Sequence, residues 1–266
     1  LCGGGRGRVR VSSSRRLFLV GEPGSGKTEV FIRFCAYALR NHLRLLILCP
    51  TGQLVASYRQ RLPESDLLRV DTIHAGLRIY RGDEELVNHS PPSMLRQYDA
   101  ILLDEASQVD DPTADKIKYA VDELPQKPFL AVAADYFQLQ PVGASGKERL
   151  MHSWCHDDKQ FTPITLKTIH RTKDMELLHF LRLCRREQPS RRTLFTFFRD
   201  RRFRGGLLEA VAYGTKLSAE SSYPFVWLCV TNAGVHRVNR CVLETMGLWT
   251  DIERKGFHTD PNAGQI

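Results

Sequence analysis

The chain has 266 residues, of which 42% are hydrophobic and 26% are charged, and its formal net charge is +8. These values are typical of a globular protein with room for one large domain or two smaller ones. No apolar run approaches the ~18 residues that a membrane-spanning helix needs, so we expect no membrane partner. The seven cysteines include no Cys-x-x-Cys pair, which argues against a zinc site or a disulfide framework and favours an intracellular chain.

The positive charge is concentrated in two segments. Residues 1–16 hold five arginines and no acidic residue, and residues 182–204 hold nine arginines with Glu187 and Asp200. We predict that residues 1–16 form a disordered basic segment, although a transit peptide or a fragment boundary would have a similar composition. Two arginine-rich segments on a mildly acidic chain favour a polyanionic partner, and the alternative for each is an ordinary solvated surface.

The first predicted strand, residues 17–20, leads into a phosphate-binding pattern. Residues 21–28 read Gly-x4-Gly-Lys-Thr, and an apolar stripe typical of a helix follows and ends near Asn41. In such a loop the backbone N–H groups converge on phosphate oxygens, a lysine reaches the β/γ-phosphates and a hydroxyl binds Mg²⁺. The predicted cofactors are therefore ATP and Mg²⁺, and the predicted cofactor-binding residues are Gly21, Gly24, Ser25, Gly26, Lys27, Thr28 and Glu29.

Strands and helices continue to alternate over about 140 residues. Continuous apolar runs predict buried strands at 45–49, 100–103 and 129–134, and helices are predicted from 52 to about 61 and over 113–124. This order indicates an α/β fold with a central parallel sheet covered by helices on both faces. Polar residues follow the strands, at the edge where open α/β sheets bind their ligands.

An acidic pair follows the apolar run at 100–103. We predict that Asp104 holds Mg²⁺ through water and that Glu105 acts as the base that polarises the attacking water. Gln138 follows the next buried strand and is predicted to bind the γ-phosphate and to report its loss, the alternative being a polar turn before Pro141.

The pattern changes from about residue 161. A short strand at 164–166, a helix at 177–184, a strand at 225–230 and a further helix are predicted. We therefore divide the chain into residues 1–16, an ATP-binding domain at 17–160, and the incomplete start of a second domain at 161–266. For Leu194, Phe195, Phe197 and Phe198 we prefer a packed helix with its arginines in solvent, and contact with DNA is the alternative.

The order of these segments resembles the superfamily 1 helicases, and it is most similar to the Pif (petite integration frequency) DNA helicases and their RecD relatives. The resemblance covers about residues 17–245 and is carried by residues 21–28, 49–52, 71–74, 104–107, 135–142, 166–171 and 231–235. It implies two RecA-like phosphate-loop NTPase domains, the second truncated here, with ATP between them. It further implies 5′→3′ stepping on single-stranded DNA, unwinding at DNA junctions and work as a monomer. The expected setting is DNA repair, recombination, replication or telomere maintenance, in the nucleus or mitochondrion of a eukaryote.

The resemblance also assigns residues. It makes Arg171 the arginine that reaches the γ-phosphate from the second domain, so the predicted catalytic residues are Lys27, Glu105, Gln138 and Arg171, and the metal-binding residues are Thr28 and Asp104. Positions that match the DNA track of the family are Pro50, Thr51, Gly52, Thr72 and His74. For His74 the alternative is a structural hydrogen bond, and for Arg171 it is an ordinary surface position.

Some features depart from the family. Gln53 stands where relatives often carry Lys, no adenine-reading segment precedes Leu17, and two late motifs are absent before the last residue. We therefore expect this chain alone to bind nucleotide but to hydrolyse or unwind poorly. The sequence of residues 105–108 leaves open an RNA or RNA/DNA helicase of the nonsense-decay type, and the incomplete second domain leaves open a non-catalytic ATP-binding nucleic-acid module.

Overall fold

The computed structural model describes residues 15–79, 93–138, 149–221 and 226–249. The predicted disordered segment therefore lies outside the described residues, except for Arg15 and Arg16, as does the predicted motif beyond Gln138. The strands are β1 (Arg16–Gly21), β2 (Leu45–Cys49), β3 (Leu68–Thr72), β4 (Ala100–Leu103), β5 (Phe129–Ala134) and β6 (Thr162–Leu166). The helices are α1 (Lys27–Arg40), α2 (Gly52–Arg61), α3 (Ile73–Leu77), α4 (Asp111–Asp122), α5 (Leu150–Cys155), α6 (Met175–Arg186), α7 (Arg191–Phe198), α8 (Leu207–Glu220) and α9 (Asn232–Thr245).

The six strands form one parallel sheet in the order β3-β2-β4-β5-β1-β6. Every residue of β2 and β4 is buried, as expected for central strands that are covered on both faces. One face packs Leu46, Leu48 and Ile101 against α4 and α5, and the other packs Ile47 and Leu102 against α1 and α2. The predicted RecA-like α/β fold class is confirmed.

Short polar side chains start several of the helices that follow the strands. Thr51, Thr72 and Asp110 each accept a hydrogen bond from a backbone N–H in the first turn of α2, α3 and α4. These caps stabilise helix ends whose N–H groups would otherwise lack partners. α1 ends at Arg40 and is capped by Asn41, close to the predicted end. No helix in the described part of the chain is long and apolar enough to cross a bilayer.

The boundary between the two parts of the chain differs from the prediction. The chain divides into a first unit, Leu1–Arg185, and a second unit, Arg186–Ile266. β6 pairs with β1 as an edge strand of the first sheet, with Leu17 opposite Thr162 and Gly21 opposite Leu166. Residues 161–185, which the sequence analysis assigned to the second domain, therefore belong to the unit that carries the sheet.

The second unit contains α7, α8 and α9 and no strand in its described residues. The strand predicted at 225–230 is wrong for residues 226–230, and the side chains of Val226, Leu228 and Val230 are 65%, 93% and 103% exposed. A strand forms only where a neighbour pairs with it, and the described residues of this unit provide none. The helix predicted after this segment is confirmed as α9, which Thr231 caps.

Candidate functional site

The predicted site residues lie at or just beyond the carboxyl-terminal ends of the parallel strands, which together form one edge of the sheet. Gly21 ends β1 and the loop that follows holds Glu22 to Gly26, and Asp104 and Glu105 follow β4. Gln138 lies after β5, and Arg171 lies after β6. Because β4, β5, β1 and β6 are consecutive neighbours in the parallel sheet, these segments lie side by side. Residues 50–52 and 72–74 follow β2 and β3 at the same edge.

The loop after β1 forms a cradle that requires glycine. Gly24 and Gly26 have φ angles of 80° and 93°, in the left-handed region that disfavours other residues. The buried Lys27 donates from its Nζ to the carbonyls of Gly21 at 2.8 Å and Glu22 at 3.4 Å. The hydroxyl of Ser25 is also buried, and no described residue hydrogen-bonds it. A backbone cradle at a helix N-terminus, with a buried ammonium and an unsatisfied hydroxyl, fits a phosphate chain.

Asp104 is fully buried and lies next to the first turn of α1. Its Oδ2 accepts hydrogen bonds from the hydroxyl of Thr28 at 2.9 Å and from the hydroxyl of Tyr58 at 2.6 Å. Its Oδ1 accepts the backbone N–H of Glu105. The carboxylate is thus held in one orientation, with Thr28 and Asp104 brought together as the sequence analysis predicted.

Glu105 lies in an environment that suits a general base. Its backbone φ is 51°, a strained conformation for a residue with a side chain. Its Oε2 is buried, and no described residue hydrogen-bonds it. Burial raises the pKa of Glu105, and the negative charges of Asp104 and Asp135 add to the rise, whereas Lys27 and Arg171 oppose it. A raised pKa brings a carboxylate closer to the pH at which it can accept a proton efficiently.

The loop after β5 is held by an ion pair between a buried carboxylate and a partly buried arginine. Arg185 of α6 donates from both terminal nitrogens to the two oxygens of Asp135 at 2.8 Å, and its guanidinium lies 4.7 Å from the ring centre of Phe137. Gln138 donates from its Nε2 to the same carboxylate at 3.3 Å. Burial acts to raise the pKa of Asp135, but the hydrogen bonds and charge of Arg185 outweigh it and leave the pKa lowered. Gln138 therefore lies on a loop whose position depends on α6.

The segment after β6 packs directly on the phosphate cradle. The N–H of His170 donates to the carbonyl of Gly24 at 2.8 Å, and a Cβ at Gly24 would lie only 2.5 Å from that of Arg171. Arg182 of α6 also pairs with Glu22 of the cradle at 3.4 Å. Arg171 is thus beside the phosphate cradle as predicted, but it belongs to the first unit and not to the second.

The residues assigned to a nucleic-acid track form a separate group at the carboxyl-terminal ends of β2 and β3. Cys49 of β2 pairs with Thr72 of β3, so the segments that follow these strands are neighbours. Thr51 and His74 are exposed, and a Cβ at Gly52 would meet only open space. The structure thus brings Pro50, Thr51, Gly52, Thr72 and His74 together on an accessible surface.

Glu29 lies in a different environment from the other cofactor-binding predictions. Its carboxylate forms ion pairs with Arg33 at 3.1 Å and with Arg61 at 2.5 Å. Its side chain therefore contacts the outer surfaces of α1 and α2, and only its backbone belongs to the first turn of α1.

Two contacts of the site were missed by the sequence analysis. Tyr58 lies on the buried side of α2 with Val55, and a buried tyrosine usually needs a partner for its hydroxyl. That signal predicts a polar partner but not which one. Arg185 was grouped with the solvated arginines of 182–204, and nothing in its local sequence distinguishes it from them.

The oxygen ligands present fit Mg²⁺ rather than a transition metal. Among the described residues, no group of three or more His, Cys, Asp or Glu side chains could hold a metal ion. Thr28 and Asp104 offer adjacent hard oxygens, and Mg²⁺ is typically bound by one or two such groups together with water and phosphate oxygens. Thr28 and Asp104 would therefore hold the ion that accompanies a nucleotide in the cradle.

The parallel sheet, the glycine cradle with Lys27 and the acidic pair after β4 define a RecA-like phosphate-loop domain. A family model described as an AAA domain matches residues 8–144, and the chain belongs to this family. None of the curated proteins matches the chain.

Solved structures share the fold. A Pif1 helicase structure concerned with DNA unwinding at forked duplex DNA by two coordinating Pif1 helicases matches with a TM-score of 0.54 and 18% identity over 84% of this chain. The Pif1 helicase from Candida albicans matches with a TM-score of 0.53 and 21% identity over 77% of this chain. The chain spans about half the length of these structures, 52% and 51%.

Proposed function

We propose that this chain is the motor part of an ATP-driven 5′→3′ DNA helicase, which couples ATP hydrolysis to movement along single-stranded DNA. The observation that carries the proposal is the arrangement of Lys27, Thr28, Asp104 and Glu105 around one phosphate cradle. Membership of the AAA domain family and the fold shared with two Pif1 helicases support it.

Lys27 and the backbone of the cradle would bind the β- and γ-phosphates. Thr28 and Asp104 would hold Mg²⁺, which supplies charge neutralisation at the phosphate oxygens. Tyr58 keeps Asp104 in the orientation that this requires, because its hydroxyl donates to the same oxygen as Thr28 does.

Glu105 would take the proton from the attacking water. Its buried, unpartnered Oε2 and its raised pKa suit a proton acceptor. Arg171, which packs on Gly24, is close enough to the cradle for its positive charge to act on Glu105. It would stabilise the negative charge that develops on the transferred phosphoryl group.

Gln138 would report the γ-phosphate to α6, since it shares the carboxylate of Asp135 with Arg185. The exposed residues at the ends of β2 and β3 would contact the phosphates of the DNA strand, which position a protein without reading sequence. The separation of these two groups along one sheet edge allows ATP and DNA to be bound at the same time.

The test is ATP turnover by the chain with and without a single-stranded oligodeoxythymidylate. We expect slow turnover that DNA raises, and we expect Lys27→Ala to lower it by at least ~100-fold, whereas Lys159→Ala, at an exposed position before β6, should have no effect. Turnover that does not respond to DNA, or that survives Lys27→Ala, would overturn the proposal. Stepping direction is tested by displacement of a streptavidin block from a 5′ or a 3′ end. A 5′→3′ motor moves toward the 3′ end and displaces the block there, so 5′ displacement alone would refute the polarity.

An RNA or RNA/DNA motor is the second candidate. The sequence Glu105-Ala106-Ser107-Gln108 favours it, and the structure buries Ala106 and Ser107 in the turn that follows Glu105. Replacing the DNA oligomer by oligouridylate of the same length decides between the two, because stronger stimulation by RNA would replace the DNA assignment.

A further inference from the structure

One face of α7 exposes large aromatic side chains. Phe197 is 7% exposed and forms the buried side of the helix, whereas Phe195 is 67% exposed and Phe198 is 50% exposed. The predicted packing of these phenylalanines in the core is confirmed only for Phe197. Two exposed aromatic rings on an eight-residue helix are more than the apolar exposure of an ordinary surface requires.

Arginines share this face with the exposed rings. Residues three, four and seven apart lie on one side of a helix, which places Arg191 and Arg192 one turn before Phe195, with Phe198 and Arg199 one turn after it. All five residues are exposed. We call Arg191, Arg192, Phe195, Phe198 and Arg199 the arginine–phenylalanine face.

The charge of this face is mostly uncompensated. Asp200 is the only acidic residue between positions 188 and 204, and it pairs with Arg199 at 3.1 Å through side chains that are both well exposed. Such an exposed pair contributes little and can exchange for another anion. In the described part of the chain, no acidic side chain pairs with Arg191 or Arg192.

A partner for this face must be negatively charged and must offer flat apolar surfaces. Single-stranded nucleic acid has both, since its phosphates pair with arginine and its bases stack on aromatic rings. Guanidinium groups also stack on aromatic faces, so the arginines and phenylalanines can share contacts with one base. An acidic peptide would satisfy the arginines but would give no reason for two exposed rings among them.

We propose that the arginine–phenylalanine face of α7 is a binding site for single-stranded nucleic acid, with a base stacked on Phe195 and phosphates bound by Arg191, Arg192 and Arg199. This inference depends on the proposed function in one respect, which is that the partner is a nucleic acid. Its residues lie in the second unit, whereas the group at the ends of β2 and β3 lies in the first.

The test is the affinity of the chain, without nucleotide, for a fluorescein-labelled oligodeoxythymidylate. Phe195→Ala should weaken binding about tenfold, and Phe195→Leu should weaken it similarly, because leucine keeps the apolar area but loses the stacking surface. Phe195→Tyr keeps the ring and should retain the affinity. An affinity that Phe195→Leu preserves would overturn the stacking, and an affinity that Phe195→Ala preserves would overturn the site.

The arginines are tested by salt dependence. Arg191→Gln combined with Arg192→Gln should reduce the slope of log affinity against log salt by about 1.4, because each phosphate contact on a single strand contributes about 0.7. Arg237→Gln, an exposed position on α9, is the matched control and should leave the slope unchanged. An equal slope in the double variant and the parent chain would refute the proposal.

Two further measurements separate the possible failures. If DNA stimulates ATP turnover while the α7 variants bind normally, this site is wrong and the proposed function stands. If the α7 variants lose affinity but DNA does not stimulate ATP turnover, the site is supported and the proposed motor function is wrong. Vesicles of phosphatidylcholine with phosphatidylserine are the membrane probe, and binding to them that depends on Phe195 and exceeds binding to DNA would replace the nucleic-acid assignment.

Discussion

The two units of the chain use arginine in opposite ways. In the sheet-bearing unit, Arg185 is 19% exposed and binds a carboxylate that is 1% exposed, and the buried Arg149 donates to the carbonyls of Ser107 and Val109. In the helical unit, Arg191 and Arg192 stand in solvent beside exposed phenylalanines. Arg149 and Arg185 thus order segments at the sheet edge, whereas Arg191 and Arg192 present their charge to solvent.

The difference predicts how each unit responds to substitution. A charge that is removed at the sheet edge leaves a buried partner unpaired, which costs stability or rate. Removing a charge from α7 leaves no buried group without a partner. It should therefore change the affinity for nucleic acid and its salt dependence, and change the free energy of unfolding by no more than about 0.5 kcal/mol. Each of the following changes alters a buried or partly buried polar group at the sheet edge, where we expect effects on stability or rate.

Glu105→Gln should have the largest effect. It removes the proton acceptor but keeps the shape, so ATP turnover should fall by about 10²–10⁴-fold while binding of a fluorescent ATP analogue persists. Glu64→Gln, at an exposed position of the same unit, should leave turnover unchanged. Turnover within threefold of the parent chain would remove Glu105 from the mechanism.

The same variant tests the pKa of Glu105. Because the folded-state pKa is raised, the folded chain holds the proton more tightly than the unfolded chain, and stability falls as the pH rises through that pKa. Glu105→Gln should therefore increase the free energy of unfolding at neutral pH, and the gain should vanish as the pH falls below the ordinary value of 4.5. Urea unfolding between pH 4 and pH 8 measures the gain in unfolding free energy at neutral pH and its loss in acid. A gain that is constant with pH would contradict the raised pKa.

Arg185→Ala should have the next largest effect. It leaves the buried Asp135 without its bidentate partner, and breaking a buried pair in this way costs about 3 kcal/mol. The loop that carries Gln138 should also lose its connection to α6, so DNA stimulation of turnover should fall. Arg186→Ala, at the exposed neighbouring position, is the control and should change neither quantity.

The unfolding free energy of Arg185→Ala should depend on pH in the opposite sense to that of Glu105→Gln. The pKa of Asp135 is lowered, so the contribution of the pair is present above the ordinary aspartate value of 3.8 and is lost as the pH falls through the lowered pKa. The difference in unfolding free energy between the parent chain and Arg185→Ala should therefore be constant at neutral pH and shrink only in acid. A difference that shrinks near pH 6 would implicate another group.

The fold of the first unit was predictable because its signals are local. Continuous apolar runs mark β2, β4 and β5, and the glycines and Lys27 mark the cradle within eight residues. β6 was assigned to the wrong domain because it is a five-residue edge strand with exposed side chains, so its own sequence does not indicate which sheet it joins. The apolar run at 225–230 was predicted as a strand from composition alone, although a strand depends on a neighbour that composition does not reveal.

The contacts that support the site were not predictable, because they join residues far apart in the chain. Tyr58 and Asp104 are 46 positions apart, and Arg185 and Asp135 are 50 apart. Nothing within a turn of Arg185 distinguishes it from Arg191, yet one is bound to a buried carboxylate and the other is in solvent. The sequence predicts which residue types can do the chemistry, whereas the packing of α2 and α6 decides which residues hold them in place.

Tyr58→Phe should have the smallest effect of the three, and it isolates one contact. The ring continues to pack, and only the hydroxyl that donates to Asp104 at 2.6 Å is lost, which should cost about 1.5 kcal/mol for a hydrogen bond to a charged group. Asp104 then keeps Thr28 alone on that oxygen and is held less firmly. We expect a several-fold increase in the Mg²⁺ concentration needed for half-maximal binding of a fluorescent ADP analogue, with Mg²⁺-independent binding unchanged. Tyr37→Phe, on the exposed side of α1, should change neither quantity. A loss of stability in Tyr58→Phe without a change in Mg²⁺ dependence would limit the Tyr58 hydroxyl to stabilising the fold.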